Sequence, residues 1–274
     1  MEQFFGGILP LSAFAVFICG TSLRIAAWLR RPVPFQLTLF PEPRGKAGKL
    51  AAVAGEFLFC GTLFRENRLL WLWVWLFHVS LAMILAGHLL GISFLRGQFT
   101  LIGATPETSS LLSTYLGAAM GMFMIISLTA LLCRRFFTPD VRKLTEPLAW
   151  VDLLLLLTVA LSGLAMYLPG YHTDLPSVRA YMAGLLTLRP GPLPTSPLFK
   201  IHFSLVNLLL LYYPFSQLLH GAGFFVNRAM QLEAAPIFPT PPGKPTRSRF
   251  AEPKEQNNMA ESPGQSGDRG ESQP

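Results

Sequence analysis

Apolar residues gather into five long runs along this chain, at residues 7–29, 69–95, 109–133, 148–168 and 201–226. Each exceeds the roughly 18 residues at which an uncharged stretch becomes a candidate for crossing a bilayer. The pattern predicts an all-α fold, an integral membrane bundle of five transmembrane helices with the two termini on opposite sides. The first run lacks a basic leader, is too long for a signal-peptide core and has no small-residue cleavage site before Arg30 and Arg31, so it is expected to stay as a helix. A shorter apolar stretch, residues 50–64 (LAAVAGEFLFCGTLF), cannot span, carries Glu56 and has basic residues on both flanks. It is expected to form an interfacial or re-entrant helix. Beyond Arg228 the chain turns to Pro, Gly, Ser, Gln and mixed charge, a composition that buries too little apolar surface to offset chain entropy. The predicted organisation is a membrane domain at 1–228 and a disordered cytoplasmic tail at 229–274.

Composition agrees with the pattern and excludes a water-soluble enzyme: 51% of residues are hydrophobic and 14% charged, with a mean hydropathy of +0.42. The net charge of +7 would suggest a nucleic-acid partner in a soluble protein. In a membrane chain it reports orientation instead. Arg30, Arg31, Arg44, Lys46, Lys49, Arg65 and Arg68 lie between the first two runs, and Arg134, Arg135, Arg142 and Lys143 between the third and fourth, whereas the opposite side has Arg96, Arg179, Arg189 and Lys200. The positive-inside rule then places the N-terminus outside and the C-terminus in the cytoplasm of a multi-pass protein of the cell inner membrane. Cys19, Cys60 and Cys133 are too widely spaced for a CxxC, zinc or covalent haem pattern and are expected to be packing residues.

The chemistry lies in the histidines. Of five, four fall in two predicted membrane helices: His78 and His88 on the second, His202 and His220 on the fifth. Ionisable residues in membrane segments are costly and usually mark function. The two helices run in opposite directions, so the pairs matched in depth are His78 with His220, inner, and His88 with His202, outer. At 1.5 Å per residue the steps along the two helices rise about 15 and 27 Å, which sets the midpoints of the pairs roughly 21 Å apart, far too distant for a dinuclear metal site. Two imidazoles without Cys, Asp or Glu do not satisfy structural zinc, which takes four protein ligands. Haem brings four nitrogens of its own and asks only for axial ligands. The four histidines are therefore candidate cofactor and metal ligands of two haem b groups, with iron closed to oxygen and fitted for electron transfer. Gly87, Gly117, Gly121 and Gly163 offer room for flat macrocycles or for helix packing, and Arg134, Arg135 and Arg228 offer charge for propionates or simply set topology. His172, near Tyr171 and Asp174, is expected at the surface or beside an outer quinone pocket.

FHVSLAMILAGHLLG around His78 and His88, RRFFTPDVRKL after the third run, and FKIHFSLVNLLLLYYPFSQLLH with His202 and His220 resemble the gamma subunit of respiratory nitrate reductase, a di-haem cytochrome b. They are similar also to the membrane cytochrome of the sulfite-reduction-associated Dsr complex. The resemblance covers roughly residues 5–228. It implies bis-histidine haem b at both pairs, a quinone site toward the His88 and His202 haem, and an electron-transfer subunit that exchanges electrons between menaquinol or ubiquinol and a cytoplasmic iron–sulfur partner carrying the terminal chemistry, in a quinol/quinone oxidoreductase of the respiratory chain or of sulfur metabolism. GEFLFCGTLFRENRLLW extends the first loop beyond the usual nitrate reductase pattern, and PETSSLLS lacks the lysine expected near that family's quinol site. The competing class is a non-redox membrane anchor or a transporter with packing or proton-relay histidines. Its only acidic candidate within a span is Asp152.

Overall fold

The computed structural model of the chain describes residues 3–30, 45–94, 97–171 and 173–233. Its described residues form helices joined by short turns, and five helices are long and apolar enough to cross a membrane: Phe4–Arg30, Arg68–Ile92, Pro106–Phe137, Pro147–Ala165 and Pro197–Phe215. His172 and residues 234–274, most of the expected tail, lie outside the described residues, while 229–233 continue a helix.

Helix starts follow local chemistry. In chain order the α-helices are α1 (Leu9–Arg30), α2 (Gly45–Phe59), α3 (Gly61–Glu66), α4 (Arg68–Gly87), α5 (Pro106–Phe137), α6 (Pro139–Leu144), α7 (Pro147–Ala165), α8 (Leu175–Leu186), α9 (Pro197–Tyr212) and α10 (His220–Glu233). Asn67, Thr105, Asp174 and Ser196 each cap the helix that follows, accepting from the backbone N–H three residues on. Proline occupies the first turn of α5, α6, α7, α8 and α9, where its missing N–H costs nothing. α5 ends with Arg134 and Arg135 against the negative end of its dipole.

The spans pack as an open arc, α4 on α5, α5 on α7, α7 on α9 and α9 on α1. α4 and α9 share no extended interface. Between α4, α5 and α7 the core is Phe77, Met124, Leu128, Leu153, Leu156 and Ala160. Small residues let the backbones approach there: Ser80 and Ser127 are buried, each hydroxyl donating to the carbonyl four residues back, Leu76 at 2.7 Å and Phe123 at 2.8 Å. A second core, Val178, Tyr181, Leu185 and Phe199, seats α8 against Leu11 of α1, Ile92 and Met166.

Three expectations change. The fifth helix does not run through 201–226: it stops at Tyr212, passes through 3₁₀ turns at Tyr213–Phe215 and Gln217–Leu219, and restarts as α10 at His220. Pro214 is the physical cause, since it lacks an N–H and clashes with the preceding turn. Ser216 then takes an extended backbone and its hydroxyl accepts from Leu218 N–H. Gly20 makes room for this break, because a Cβ there would lie 2.8 Å from the Pro214 ring. His220 thus sits beyond the fifth span, and the straight 27 Å rise does not apply. Secondly, the short stretch at 50–64 is two helices, α2 and α3, split at Cys60 in the left-handed region (φ 47, ψ 48). Thirdly, Cys19 and Cys133 are exposed on the outer surfaces of spans and Cys60 is half-buried at the split, so none is a core residue. The lipid-facing side of a span needs apolar residues without tight packing.

Candidate functional site

The four histidines reach two places in the arc. The His78 and His220 rings lie 5.9 Å apart between centroids, their planes at 81°. The His88 and His202 rings lie 6.4 Å apart, at 34°. His78 comes from the middle of α4 and His88 from the first residue of a π-helical turn, His88–Phe94, that closes its far end. Turns of this kind recur at functional sites. His202 sits on α9 and His220 opens α10. The His78, His88 and His220 rings are exposed, lining the side of α4 that no neighbouring span covers.

Each ring is held through Nδ1. His78 Nδ1 donates to Val74 O and His88 Nδ1 to Ile84 O, both at 2.8 Å and both one turn back on α4. His220 Nδ1 donates to Gln217 O at 2.9 Å. His202 reaches across to α7, with Val159 O at 3.1 Å and Ser162 Oγ at 3.0 Å. A carbonyl oxygen only accepts, so Nδ1 carries a proton in all four rings, and in the neutral imidazole the lone pair is then on Nε2. Histidines that bind metals are oriented by a bond of this kind from the other nitrogen.

The spacing suits one metal ion per pair. Two imidazoles bound on opposite faces of an ion, each through a bond of about 2 Å, have ring centres about 6.3 Å apart. The two observed spacings bracket that value. Among the described residues no three His, Cys, Asp or Glu side chains gather around one point. A donor set of two imidazoles suits a haem, which brings the equatorial nitrogens itself, better than a bare ion.

Of the four glycines singled out in the sequence, Gly163 has a clear part in the site: a Cβ there would lie 3.1 Å from His202 Cε1. Gly121 packs on Leu164, Gly117 faces the Tyr167 hydroxyl, and Gly87 has open space. Arg135 Nη1 donates to Ala149 O on α7 at 3.1 Å, and the Arg228 guanidinium lies over the Phe224 ring at 5.5 Å. Asp152 is buried at 5% exposure, with Arg135 and Tyr212 as its polar neighbours. At the end of the bundle beyond the His88 pair, Tyr171, Asp174 and Ser177 join Thr195, Ser196 and Pro197 around a pocket of about 250 Å³ where α8 and α9 begin.

Ser162, Val159 and α8 escape a reading of the sequence. Ser162 and Gly163 form an adjacent pair in a helix that faces a histidine helix, which is a signal only once the facing is known. α8 is amphipathic but too short to register as a span.

Comparison with known proteins shows the family of the chain. Over 266 residues the chain is 27% identical to the Hdr-like menaquinol oxidoreductase cytochrome b-like subunit of Archaeoglobus fulgidus, covering 81% of this chain and 77% of that one. It is 28% identical over 263 residues to the subunit of the same name in Archaeoglobus profundus, covering 80% and 76%. With the nitrate reductase gamma chain of Bacillus subtilis it shares 28% identity over 155 residues, 53% of this chain and 68% of that one. The profile of the nitrate reductase gamma subunit matches residues 60–232, which take in α4 through α10 and all four paired histidines. A multi-pass helical membrane protein with this match over most of its length belongs to the nitrate reductase gamma subunit family.

Proposed function

We propose that this chain is a di-haem cytochrome b subunit that carries electrons between a membrane quinol pool and the iron–sulfur partner of an oxidoreductase complex. The observation that carries it is the pair of histidine pairs, at 5.9 and 6.4 Å with every Nδ1 proton bound. His78 with His220 and His88 with His202 would each hold a haem, which would supply one-electron chemistry there. The chain's own contribution is orientation. Val74, Ile84, Val159 and Gln217 hold the imidazoles with Nε2 free, so binding does not have to restrict ring rotation.

Two relatives are menaquinol oxidoreductase subunits by name, which supports menaquinol over ubiquinol as the quinol of this chain. The excess of Lys and Arg around α2 and α3 supports an orientation with that end on the cytoplasmic side and the N-terminus outside. The His78 pair is then inner and the His88 pair outer. With quinol oxidised near the outer pair, its two protons would leave on the side of the polar pocket and its two electrons would go inward to the iron–sulfur partner, so the step would charge the membrane. Lys46, Lys49, Arg65 and Arg68, with the apolar faces of α2 and α3, form the surface on which a cytoplasmic iron–sulfur subunit docks.

Purified protein should show reduced-minus-oxidised b-type bands and two haems per chain. Absence of those bands, or retention of both haems in the double variant His88→Ala and His220→Ala, would overturn the assignment.

A further inference from the structure

α2 and α3 form a corner whose shape is set by its own contacts. At the split, Thr62 N–H donates to both Glu56 carboxylate oxygens, at 3.1 and 3.3 Å, and the Thr62 hydroxyl donates to one of them at 3.1 Å. Burial and the Glu56 carboxylate push the Cys60 thiol up, so the corner holds a neutral thiol.

The corner presents the last carbonyls of α2, which have no partner within the helix. Trp71 Nε1 donates to Phe59 O at 2.6 Å and Trp75 Nε1 to Leu58 O at 3.0 Å. The two indoles stack, with centroids 5.7 Å apart. Positions 71, 75 and 78 follow the i, i+4, i+7 spacing of one helix stripe, so the corner docks on the stripe of α4 that carries His78. On its other side, Phe57 packs against Phe224 and Phe225 of α10, at 5.9 and 5.0 Å. Phe224 lies one turn after His220 on the same face.

The end of α2 therefore bridges the two helices that present His78 and His220. The other contacts between them run through the bundle core, where Leu218, two residues before His220, packs against the cluster that includes Phe77, and through α1, which meets α10. We infer that the α2–α3 corner is a clamp that sets the His78–His220 spacing and ring angle, with Trp71, Trp75 and Phe57 as its positioning residues. This inference rests on the assignment of that pair to a haem. The pair His88 and His202 has a different support, Ser162 and Gly163 of α7, and is independent of the clamp.

The test uses the full chain, purified in detergent with its haems, and compares wild type with Trp71→Phe/Trp75→Phe, Phe57→Ala and Phe57→Tyr. The double variant keeps aromatic bulk while removing both indole donors, so it addresses the clamp even where Phe57→Ala folds poorly. The inner haem is the transition lost in His220→Ala. The expected result is two haems per chain in the double variant, with a shifted midpoint potential and a shifted low-spin electron paramagnetic resonance signal for the inner haem. The outer haem is expected to stay as in wild type, and Phe57→Tyr to match wild type. Unchanged inner signals in both the double variant and Phe57→Ala, or equal shifts in both haems, would overturn the clamp while leaving the haem assignment standing. A wild-type chain without b-type haem would overturn the assignment and the clamp with it.

Discussion

The two histidine pairs are alike in ligand chemistry and unlike in how they are held. His202 is held from another helix: its Nδ1 reaches Val159 O and Ser162 Oγ on α7, and its ring fills the space left by Gly163. The His78 pair is held from within its own helices, each Nδ1 donating to a carbonyl three or four residues back. Its helices are tied together by the corner at Cys60 and by Leu218, which packs against the core cluster that includes Phe77. The packed core of the bundle therefore holds His202, whereas His78, His88 and His220 are each held by a carbonyl of the adjoining turn, with the α2–α3 corner bracing the His78 pair.

The largest expected difference comes from removing one ligand at a time. His88→Ala should lose the outer haem and keep the inner, and His220→Ala the reverse, each halving haem content while quinol-driven reduction of an acceptor falls to background. Loss of both haems in either single variant would show that the sites are not separable. Next in size is Gly163→Val. Its Cβ starts 3.1 Å from His202 Cε1, a contact the ring must yield to, and the branched methyls add to it. Outer-haem affinity should fall by roughly 10- to 100-fold, the range seen when the groups orienting a ligand are disturbed. Haem retention on dilution checks this, with inner-haem retention as the control.

A spectroscopic contrast is smaller but specific. Around a haem iron, imidazole planes at 81° would leave the two iron π orbitals nearly equal in energy, whereas planes at 34° would split them. The oxidised protein should give two low-spin ferric signals, the more anisotropic one disappearing in His220→Ala. Two identical signals would remove the proposed difference in ring geometry.

The smallest effect concerns the scaffold. Tyr181 is 1% exposed and its hydroxyl donates to Gly6 O at 2.8 Å, tying α8 to the N-terminal turn. Tyr181→Phe should cost about 1 kcal/mol of stability. Burial pushes the Tyr181 hydroxyl up to about 12 from an ordinary value near 10. The folded state thus prefers the neutral phenol, and the stabilisation is complete below about pH 10 and is lost as pH rises toward 12. A thermal midpoint measured from pH 8 to 12 should decline less steeply in Tyr181→Phe than in wild type.

The spans were legible in the sequence because hydropathy over some twenty residues is a local property. The caps at Asn67, Thr105, Asp174 and Ser196 act on backbone groups only three residues away, yet the apolar runs did not mark them, because a hydropathy pattern does not register a single polar residue at a helix end. The fifth helix was drawn too long although Pro214 stood in plain view, because YYPFSQLLH is apolar on both sides of the proline and a hydropathy window averages across it. The stretch at 50–64 was recognised as too short to span, but its corner depends on a left-handed Cys60 held by Glu56 and Thr62, a conformation no residue type there announces.

The sequence by itself determined that the chain lives in a bilayer, that five segments cross it, and that imidazoles are the candidate ligands. Antiparallel helices and matched depth were enough to say which histidine goes with which. Only the tertiary structure decided how close the rings come, at what angle, and what holds them. Those quantities depend on a break at Pro214, on Gly20 admitting that break, and on α7 and α2 supplying carbonyls and rings from distant parts of the chain. Hydropathy adds up along the chain, whereas the position of a ring is set by where helices cross and end, and that is settled among segments many residues apart.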